Sequence, residues 1–348
     1  MESINKKNIK FSDDIKKNLR KLHINNSNFD KVNVWVKKTP YDIRDEALRD
    51  LLKAFKTSFS KGEQFKMKFK SKKNNSDSIV ISKKYYKSSG IFFPRFFGKE
   101  PIRSFEKLPE QLACDSRLIK NNLGEFYLCI PEKTRILKVD NQNLDKRIIA
   151  LDPGIRTFIS GFSLDRSIVN YGDGDSRRIY SLLKYSDNLK SRMKKGLGNK
   201  YRMRRALLRM NKKITNLVKD LHYKLANYLC KNFGYILLPD FQTQGMMQRK
   251  GRKIGKISTR LMQSLSHYSF KTRLINKAKE YGTNIIIVTE EYTSKTCSSC
   301  GYLHKNLGKS KVYNCSNCKI VLDRDLNGAI NILLKYLTES LKSSLGGF

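Results

Sequence analysis

The sequence predicts a mixed fold, in which a helix and a β-rich module precede an α/β part. In TPYDIRDEALRDLLKAFKTSF (39–59) apolar residues recur at helical spacing. From about residue 63 to 145 short apolar runs alternate with polar turns, as in strands. From residue 146 onward such runs alternate with long helical stretches. These changes of period predict an α/β and β mixed chain with an N-terminal helical segment.

Composition indicates a polyanionic partner. The 348 residues include 71 Lys and Arg against 31 Asp and Glu, a formal net charge of +40. Such a charge repels itself unless a partner such as nucleic acid neutralises it. No apolar run approaches the ~20 residues of a membrane span. The polar N-terminus is not a secretory signal either, so no membrane is expected.

The α/β part predicts a defined order of elements. These are a strand hairpin at 147–164, a basic helical hairpin at 176–232 broken at Gly196 and Gly198, a strand at 234–241, a helix at 259–281, a strand ending at 291, a Cys-rich insert at 297–318 and a closing helix. Within 63–145, FKMKFK (65–70) and TRILKVD (134–140) are among the predicted strands.

The helical stretch 176–232 carries a dense set of cations. They are Arg202, Arg204, Arg205, Arg209, Lys212 and Lys213. Acidic residues at i,i+4 spacing are nearly absent beside them, which favours a surface that faces phosphates. The alternative is an ordinary solvated helix face.

Four cysteines have the spacing of a metal site. Cys297 and Cys300 form one C-x2-C pair, and Cys315 and Cys318 form the second. Two such pairs place four thiolates around a tetrahedral Zn²⁺, and a closed site of this kind is structural. Redox or chance pairs are the alternative.

Carboxylates follow the predicted strands of the α/β part. The set comprises Asp152, Asp240, Glu290 and Glu291 after strands, with Asp323 and Asp325 opening the last helix. Carboxylates gathered at strand ends in so basic a chain suit Mg²⁺ held between protein and phosphate. Helix caps or ion pairs are the alternative for any single residue.

Several segments together resemble the Fanzor proteins, the eukaryotic and viral relatives of TnpB. They are KTRILKVDNQNLDKRIIALDPGIRTF, LLPDFQTQGM, TRLMQSLSHYSFKTRL, EEYTSKTCSSCG and CSNCKIVLDRDLNGAINI. The resemblance runs from about residue 38 to 336. It implies a helical and β-barrel-like (wedge) module, followed by a split RuvC-like RNase H fold with an inserted zinc ribbon.

On this resemblance we expect five segments. They are a helical recognition-like segment (1–62), a β-rich wedge-like module (63–145), a RuvC-like part (146–291) with the basic insertion 176–232, a zinc ribbon (292–321) and a closing RuvC-like helix (322–348). The implied activity is RNA-guided, Mg²⁺-dependent cleavage of DNA, with guide RNA and target DNA as partners. Family members usually carry more than the 38 residues that precede Thr39 here.

The third catalytic carboxylate has to be chosen among several acids. Asp152 and Asp325 supply two ligands, and Pro239 stands where the TnpB pattern has Glu. Glu290, two residues before Tyr292, matches the relocated glutamate of Fanzor-like proteins and is the choice. Asp240 should face away from the metal, because successive strand residues point to opposite faces. Glu291 is a less favoured candidate than Glu290, because it is expected to form an ion pair. Asp323 is less favoured than Asp325, because it is expected to cap the helix.

Three functions follow as hypotheses. The first is an RNA-guided DNA endonuclease of transposon-associated origin, with structural Zn²⁺, catalytic Mg²⁺ and a guide RNA. The second is a nuclease-inactive RNA-guided DNA-binding protein, and the third is a non-specific basic nucleic-acid-binding protein. The eukaryotic relatives and the basic run RKGRKIGK (249–256) point to the nucleus.

Overall fold

The chain divides into two compact units, residues 1–133 and 134–348. A computed structural model describes residues 13–25, 36, 38–60, 76–87, 90–91, 102–134, 136–137, 147–241, 243–248, 254–289, 291–304, 308 and 310–344.

The first unit combines helices with small antiparallel sheets. Its elements are α1 (Asp13–His23), α2 (Tyr41–Ser60), β1 (Ser76–Ile81), β2 (Tyr86–Lys87), β3 (Gly90–Ile91), β4 (Ser116–Asn121) and β5 (Phe126–Cys129). Strands β1, β4 and β5 form one sheet in that order, and β2 pairs with β3. An ion pair of 2.6 Å between Arg20 and Asp45 joins α1 to α2. Ile81 and Ile91 are the buried centre of this unit's core.

The structure confirms the helix predicted over 39–59 as α2. The described residues of the first unit show no closed barrel, so the wedge stays a prediction. The predicted strand FKMKFK lies outside the described residues. The strand predicted at 134–140 is wrong at Thr134, Ile136 and Leu137, which belong to no strand. The Leu137 N–H donates instead to the carbonyl of Glu280, 2.7 Å away.

A five-stranded sheet organises the second unit. Its strands are β6 (Ile148–Pro153), β7 (Ile159–Ser163), β8 (Ile168–Tyr171), β9 (Tyr235–Pro239) and β10 (Asn284–Val288). The order across the sheet is β10-β9-β6-β7-β8. The neighbours β6, β9 and β10 run parallel, whereas β7 is antiparallel to both β6 and β8. The predicted hairpin 147–164 is therefore confirmed as β6 and β7.

Helices cover both faces of this sheet. They are α3 (Asp175–Lys194), α4 (Lys200–Asn232), α5 (Thr243–Met247), α6 (Lys256–Leu265), α7 (His267–Tyr281) and α8 (Arg324–Ser344). Ile149 and Leu151 of β6 pack in the large core on one face, whereas Ala150 packs with Ile332 and Leu333 of α8 on the other. Alternate residues of a strand point to opposite faces, so the even-numbered residues of β6 face α8.

The basic helical hairpin is confirmed as α3 and α4. Between them Gly196 and Gly198 adopt φ of 72° and 80°, a region that favours glycine. The Asn199 side chain then caps α4 by accepting the Arg202 N–H at 3.0 Å. One face of α4 buries Ile214, Val218, Leu221, Leu225 and Leu229, a spacing of three and four residues.

The single helix predicted at 259–281 is wrong, because two helices occupy this region. Ser266 has φ 50° and ψ 57°, left-handed values that end α6 before α7 begins. The carbonyl of Leu265 is thereby left without a helical partner, and the buried His222 ring binds it at 2.9 Å. The break is supported by a side chain that comes from another helix.

The segment between β10 and α8 holds the Cys-rich insert and an antiparallel pair, β11 (Val312–Asn314) and β12 (Val321–Asp323). Tyr313, the centre of β11, is fully buried beside Cys297 and Cys315. Among the described helices, none combines the length and the apolar character that a bilayer span requires.

Candidate functional site

The carboxyl ends of the parallel strands form one edge of the five-stranded sheet. Asp152 lies in β6 one residue before its end, and Asp240 directly follows β9. Glu291 is exposed after β10, whereas Glu290 lies outside the described residues. The sheet therefore collects three of its predicted carboxylates at one edge, as parallel strands require.

Asp325 of α8 reaches this edge near Gly154, two residues after Asp152. A methyl group built on Gly328 would collide with the Asp152 carboxylate, and one built on Gly154 would lie 3.8 Å from Oδ2 of Asp325. Each carboxylate thus lies against the backbone segment that carries the other. The two residues, about half the chain apart in sequence, are brought together.

Strand alternation separates the remaining acids. Leu237 of β9 packs on the α8 side together with Ala150, so Pro239 has the same orientation and Asp240 the opposite one. Asp240 is exposed and forms an ion pair of 2.8 Å with Lys271. The expectation that Asp240 faces away from Asp152 agrees with this placement.

Asp323 and Asp325 have different surroundings. The Asp323 carboxylate accepts the N–H groups of Asp325 (2.9 Å) and Leu326 (3.3 Å), so it is the N-cap of α8. Asp325 is half-buried. Burial is the main cause that raises its pKa, and the Asp323 charge adds to it, against the cations Lys311, Arg324 and Arg156. A bound cation would favour the ionised form of Asp325.

The four cysteines form a compact cluster. Their Sγ atoms all lie within 4.8 Å of one another, with 3.7 Å between Cys297 and Cys318 and 3.6 Å between Cys300 and Cys315. Four sulfurs bound at about 2.3 Å to a tetrahedral zinc lie about 3.8 Å apart. The donor set and its spacing therefore fit Zn²⁺.

Backbone hydrogen bonds build the two halves of the cluster alike. The Gly301 N–H donates to the Cys297 carbonyl at 2.9 Å, and the Lys319 N–H donates to the Cys315 carbonyl at 3.1 Å. Gly301 and Lys319 both have left-handed φ values, 73° and 63°. The Tyr302 backbone N–H lowers the pKa of the Cys300 thiol to about 6, which favours the thiolate that binds metal.

The predicted cations lie in the first half of α4. Arg202, Arg204, Arg209 and Lys213 are exposed, and Arg205 and Lys212 are half-buried. Asp220, an acid further along this helix, already pairs with Lys224 at 2.8 Å. This half of α4 presents a positively charged surface.

The two sites differ in how complete a metal site they offer. Among the described residues, the cysteine cluster is the one group of three or more His, Cys, Asp or Glu that could hold a metal ion. Asp152 and Asp325 offer hard oxygen ligands of the kind that Mg²⁺ prefers. As a pair they offer fewer donors than the four cysteines of the cluster.

A comparison with known protein families finds the Cas12f1-like TNB domain over residues 267–332, from the start of α7 to the middle of α8. A TnpB-like protein of Acanthamoeba polyphaga mimivirus is 30% identical over 270 residues, which are 73% of this chain and 49% of that protein. Over this stretch the chain is similar to the TnpB-like proteins. The resemblance to the Fanzor relatives of TnpB is confirmed at this level.

The chain is also similar to CRISPR-associated proteins. The endodeoxyribonuclease Cas12f1 of Syntrophomonas palmitatica is 23% identical over 281 residues, 70% of this chain and 52% of that protein. The solved Cas12f1–sgRNA–target DNA complex is 20% identical with a TM-score of 0.45, covering 64% of this chain and 45% of that one. The chain spans about half the length of the curated relatives it matches first.

Two asparagines of the TnpB-like motif DLNGAINI hold the insert on α8, a role the sequence reasoning missed. Asn327 Nδ2 donates to the Thr296 carbonyl at 2.8 Å, and its Oδ1 accepts the Ser298 N–H at 3.0 Å. Asn331 Nδ2 donates to the Thr293 carbonyl at 2.8 Å. Both residues are buried in α8. Polar residues four apart in an apolar helix were the signal available.

Gly328 is a third residue that the sequence reasoning missed. It lies on α8 where any side chain would meet the Asp152 carboxylate. A glycine inside a helix costs about 1 kcal/mol relative to alanine, so its presence there indicates a close approach. The signal in the sequence was an unfavourable glycine inside a predicted helix, three residues after Asp325.

Proposed function

We propose that the chain is an RNA-guided, metal-dependent DNA endonuclease of transposon-associated origin. The observation that carries this proposal is that the Asp152 carboxylate lies against Gly328 of α8, and the Asp325 carboxylate near Gly154, at the carboxyl edge of the sheet. The sheet order, with β7 antiparallel next to the central β6, agrees with the RuvC-like RNase H fold that the family resemblance implies. The name of the relative Cas12f1 supports DNA as substrate.

The residues at the edge would act by holding Mg²⁺. Asp152, Asp325 and the proposed third ligand Glu290 would bind the metal, which activates water and stabilises the leaving oxygen of a phosphodiester. In β10 the even-numbered Ile286 and Val288 pack on the α8 side. That alternation supports Glu290 over Glu291. Asp325 would bind as the ionised carboxylate.

A nuclease assay with matched variants tests the active site. Asp152→Asn and Asp325→Asn should each abolish Mg²⁺-dependent cleavage at equal RNA occupancy, because each removes a metal ligand. Asp323→Asn is the control, since asparagine preserves the cap and removes one charge. Unchanged cleavage with Asp152→Asn would refute the proposal. RNA-dependent target binding by wild type with no cleavage would replace it by the nuclease-inactive alternative.

The third ligand is tested with a trio of single variants. Glu290→Gln should abolish cleavage, whereas Glu291→Gln and Asp240→Asn should retain it. Asp240 provides a useful contrast because its charge is already paired with Lys271. Loss of cleavage with Asp240→Asn and retention with Glu290→Gln would overturn the relocated glutamate.

The proposed guide RNA and target DNA would bind along α4. Arg202, Arg204, Arg205 and Arg209, with Lys212 and Lys213, would bind backbone phosphates. Replacing the four arginines by Gln should flatten the dependence of log K on log salt by about 0.7 for each single-strand phosphate that is no longer neutralised. An unchanged slope would show that these arginines form an ordinary solvated helix face and do not bind phosphates. Bound RNA of one defined sequence would distinguish a guide from the non-specific alternative.

The cysteine cluster would hold one structural Zn²⁺. A closed set of four thiolates leaves no position for substrate, so the metal would stabilise the insert rather than take part in cleavage. Metal content of the purified chain tests this at one zinc per chain.

A further inference from the structure

A cavity of about 400 Å³ lies between helices α4, α6 and α7 of the second unit, and its apolar lining comes from Leu183, Ile214 and Val218. Its polar lining is rich in hydroxyl and amide groups and includes two cations, Lys219 and Arg273. The uncharged polar residues of the lining are Asn211, Thr215, Gln263, Ser264, Ser266 and Ser269. A cavity with this lining suits a ligand that is both anionic and hydrogen-bonding. We call it the α4–α7 cavity.

A buried histidine fixes the orientation of Arg273. His222 is fully buried, and its Nε2 lies 2.9 Å from the Leu265 carbonyl. A carbonyl oxygen can only accept, so Nε2 carries the proton and Nδ1 accepts from an Nη1–H of Arg273. The Arg273 guanidinium also lies 5.2 Å from the ring centre of Tyr223. One tautomer and one aromatic face therefore hold the guanidinium in place.

Arg273 keeps most of its donors and its charge for a ligand. None of the ion pairs among the described residues includes Arg273. An arginine has five N–H donors, and its hydrogen bond to His222 uses one of them. A half-buried cation that is oriented in advance, without a carboxylate, is an arrangement that suits phosphate.

The cavity is continuous with the positively charged half of α4. Asn211 and Thr215 line it, and Arg204 lies seven residues before Asn211, on the same face of the helix. A chain of phosphates that follows this face would pass from the arginine-rich turns of α4 into the cavity. The neighbouring hydroxyls would bind sugar or phosphate oxygens.

We propose that the α4–α7 cavity binds a phosphodiester of a nucleic-acid backbone, with Arg273 as the phosphate ligand and His222 as its positioning residue. The inference rests on the proposed function in taking a polynucleotide as the ligand. Guide RNA and target DNA share this phosphate chemistry, so the test compares both.

The test measures binding of oligo(U) and oligo(dT), each about 20 nucleotides long, to the full chain over a range of salt concentrations. Arg273→Gln should weaken binding several-fold and reduce the salt slope by about 0.7, the value for one neutralised phosphate on a single strand. Lys224→Gln is the matched control, because it removes one cation of α4 outside the cavity. It should leave the slope unchanged.

A second variant covers the case in which Arg273→Gln fails to fold. Lys219→Gln removes an exposed cation of the same lining and should reduce the slope in the same direction. Equal reductions with both oligonucleotides assign the interaction to phosphate alone, and a larger reduction with oligo(U) assigns it to the RNA. Slopes that equal the Lys224→Gln control in both variants overturn the inference. Because no cleavage is measured, this outcome is separate from failure of the nuclease proposal.

Discussion

The four cysteines of the insert lie within 21 positions of one another, whereas Asp152 and Asp325 are about half the chain apart. Local backbone hydrogen bonds shape each half of the cysteine cluster, with Gly301 and Lys319 at equivalent turns. Asp152 and Asp325 come near each other because α8 packs across β6 at Gly328. One site depends on short-range geometry, and the other depends on the packing of the whole sheet. The two should therefore respond differently to the same kind of change.

Removal of zinc should have the largest effect, and it should stay near the insert. Cys315→Ser should release the metal, because the apparent binding energy of structural zinc, about 10–16 kcal/mol in small modules, also stabilises their folded state. Hydrogen exchange should then become fast in 297–318, while β6 and β9 remain protected. Metal content and exchange measured by mass spectrometry check this.

Cys114→Ser is the control for the zinc prediction, since Cys114 is exposed and outside the cluster. One bound zinc per chain and unchanged melting of Cys315→Ser would contradict the assignment.

A methyl group on Gly328 should damage the carboxylate site and leave the cysteine cluster intact. Gly328→Ala places Cβ against the Asp152 carboxylate, so either that carboxylate or α8 must shift. We expect a loss of about 1–3 kcal/mol in stability and at least about tenfold in cleavage, with zinc content unchanged. Unfolding by urea and the nuclease assay measure these effects.

Gly245→Ala is the matched control for Gly328→Ala. Gly245 is also helical, and a methyl group there would meet open space. The substitution should be neutral or slightly stabilising. Equal behaviour of the two alanine variants would show that α8 does not approach β6 as closely as described.

Acid should destabilise the core beside the five-stranded sheet, because two buried histidines lie there. The Phe158 ring lies 5.0 Å from His222 and 4.7 Å from His267, centre to centre. Burial and the nearby Arg273 lower the pKa of His222 to about 4. Burial and the neighbouring His222 lower the pKa of His267 to about 3. Both rings are neutral in the folded chain at neutral pH.

The sign of the acid effect follows from these values. Below pH 6.5 the unfolded chain protonates each histidine and the folded chain does not, so stability falls as the pH falls towards 4. At pH 5 the loss is about 2 kcal/mol per histidine. In His222→Gln the free energy of unfolding should fall less between pH 7 and 5, because the contribution of one histidine is lost. Urea unfolding at each pH measures this. His23→Gln, an exposed control in the first unit, should keep the full slope.

The smallest expected effect separates the two halves of the cysteine cluster. Gly301 tolerates its left-handed φ, whereas Lys319 holds the equivalent conformation with a side chain. Gly301→Ala should therefore reduce the stability of the zinc-loaded insert by about 1 kcal/mol, and Lys319→Gly should raise it by less than about 1 kcal/mol. Competition with a zinc chelator reads both changes. The same sign in both variants would contradict the equivalence of the two turns.

Sequence reasoning reaches the cysteine cluster more readily than the carboxylate site. Two C-x2-C pairs close together in the sequence predict that the sulfurs of Cys297, Cys300, Cys315 and Cys318 lie close together in space, as they do. Asp152 and Asp325 were also named, because strand ends and a helix start are visible in the apolar pattern. Their meeting, however, requires the register of the sheet and the close passage of α8 at Gly328, which no local pattern encodes.

Other features lay beyond the sequence for specific reasons. The break at Ser266 has no glycine or proline to mark it in the sequence, and the Leu265 carbonyl that it frees is bound by His222 of another helix. Thr134, Ile136 and Leu137 form no strand, contrary to the prediction, because apolar alternation cannot show that the Leu137 N–H bonds to the Glu280 carbonyl. In both cases a distant partner overrides the local preference.

Helix α8 connects the two sites compared above. Its first turn carries Asp325. The side chains of Asn327 and Asn331 donate hydrogen bonds to the backbone that leads into Cys297. Binding equilibria that share one rigid element are thermodynamically linked, and the linkage is reciprocal. Any factor by which zinc tightens the binding of a cation at Asp325 is therefore the factor by which that cation tightens the binding of zinc.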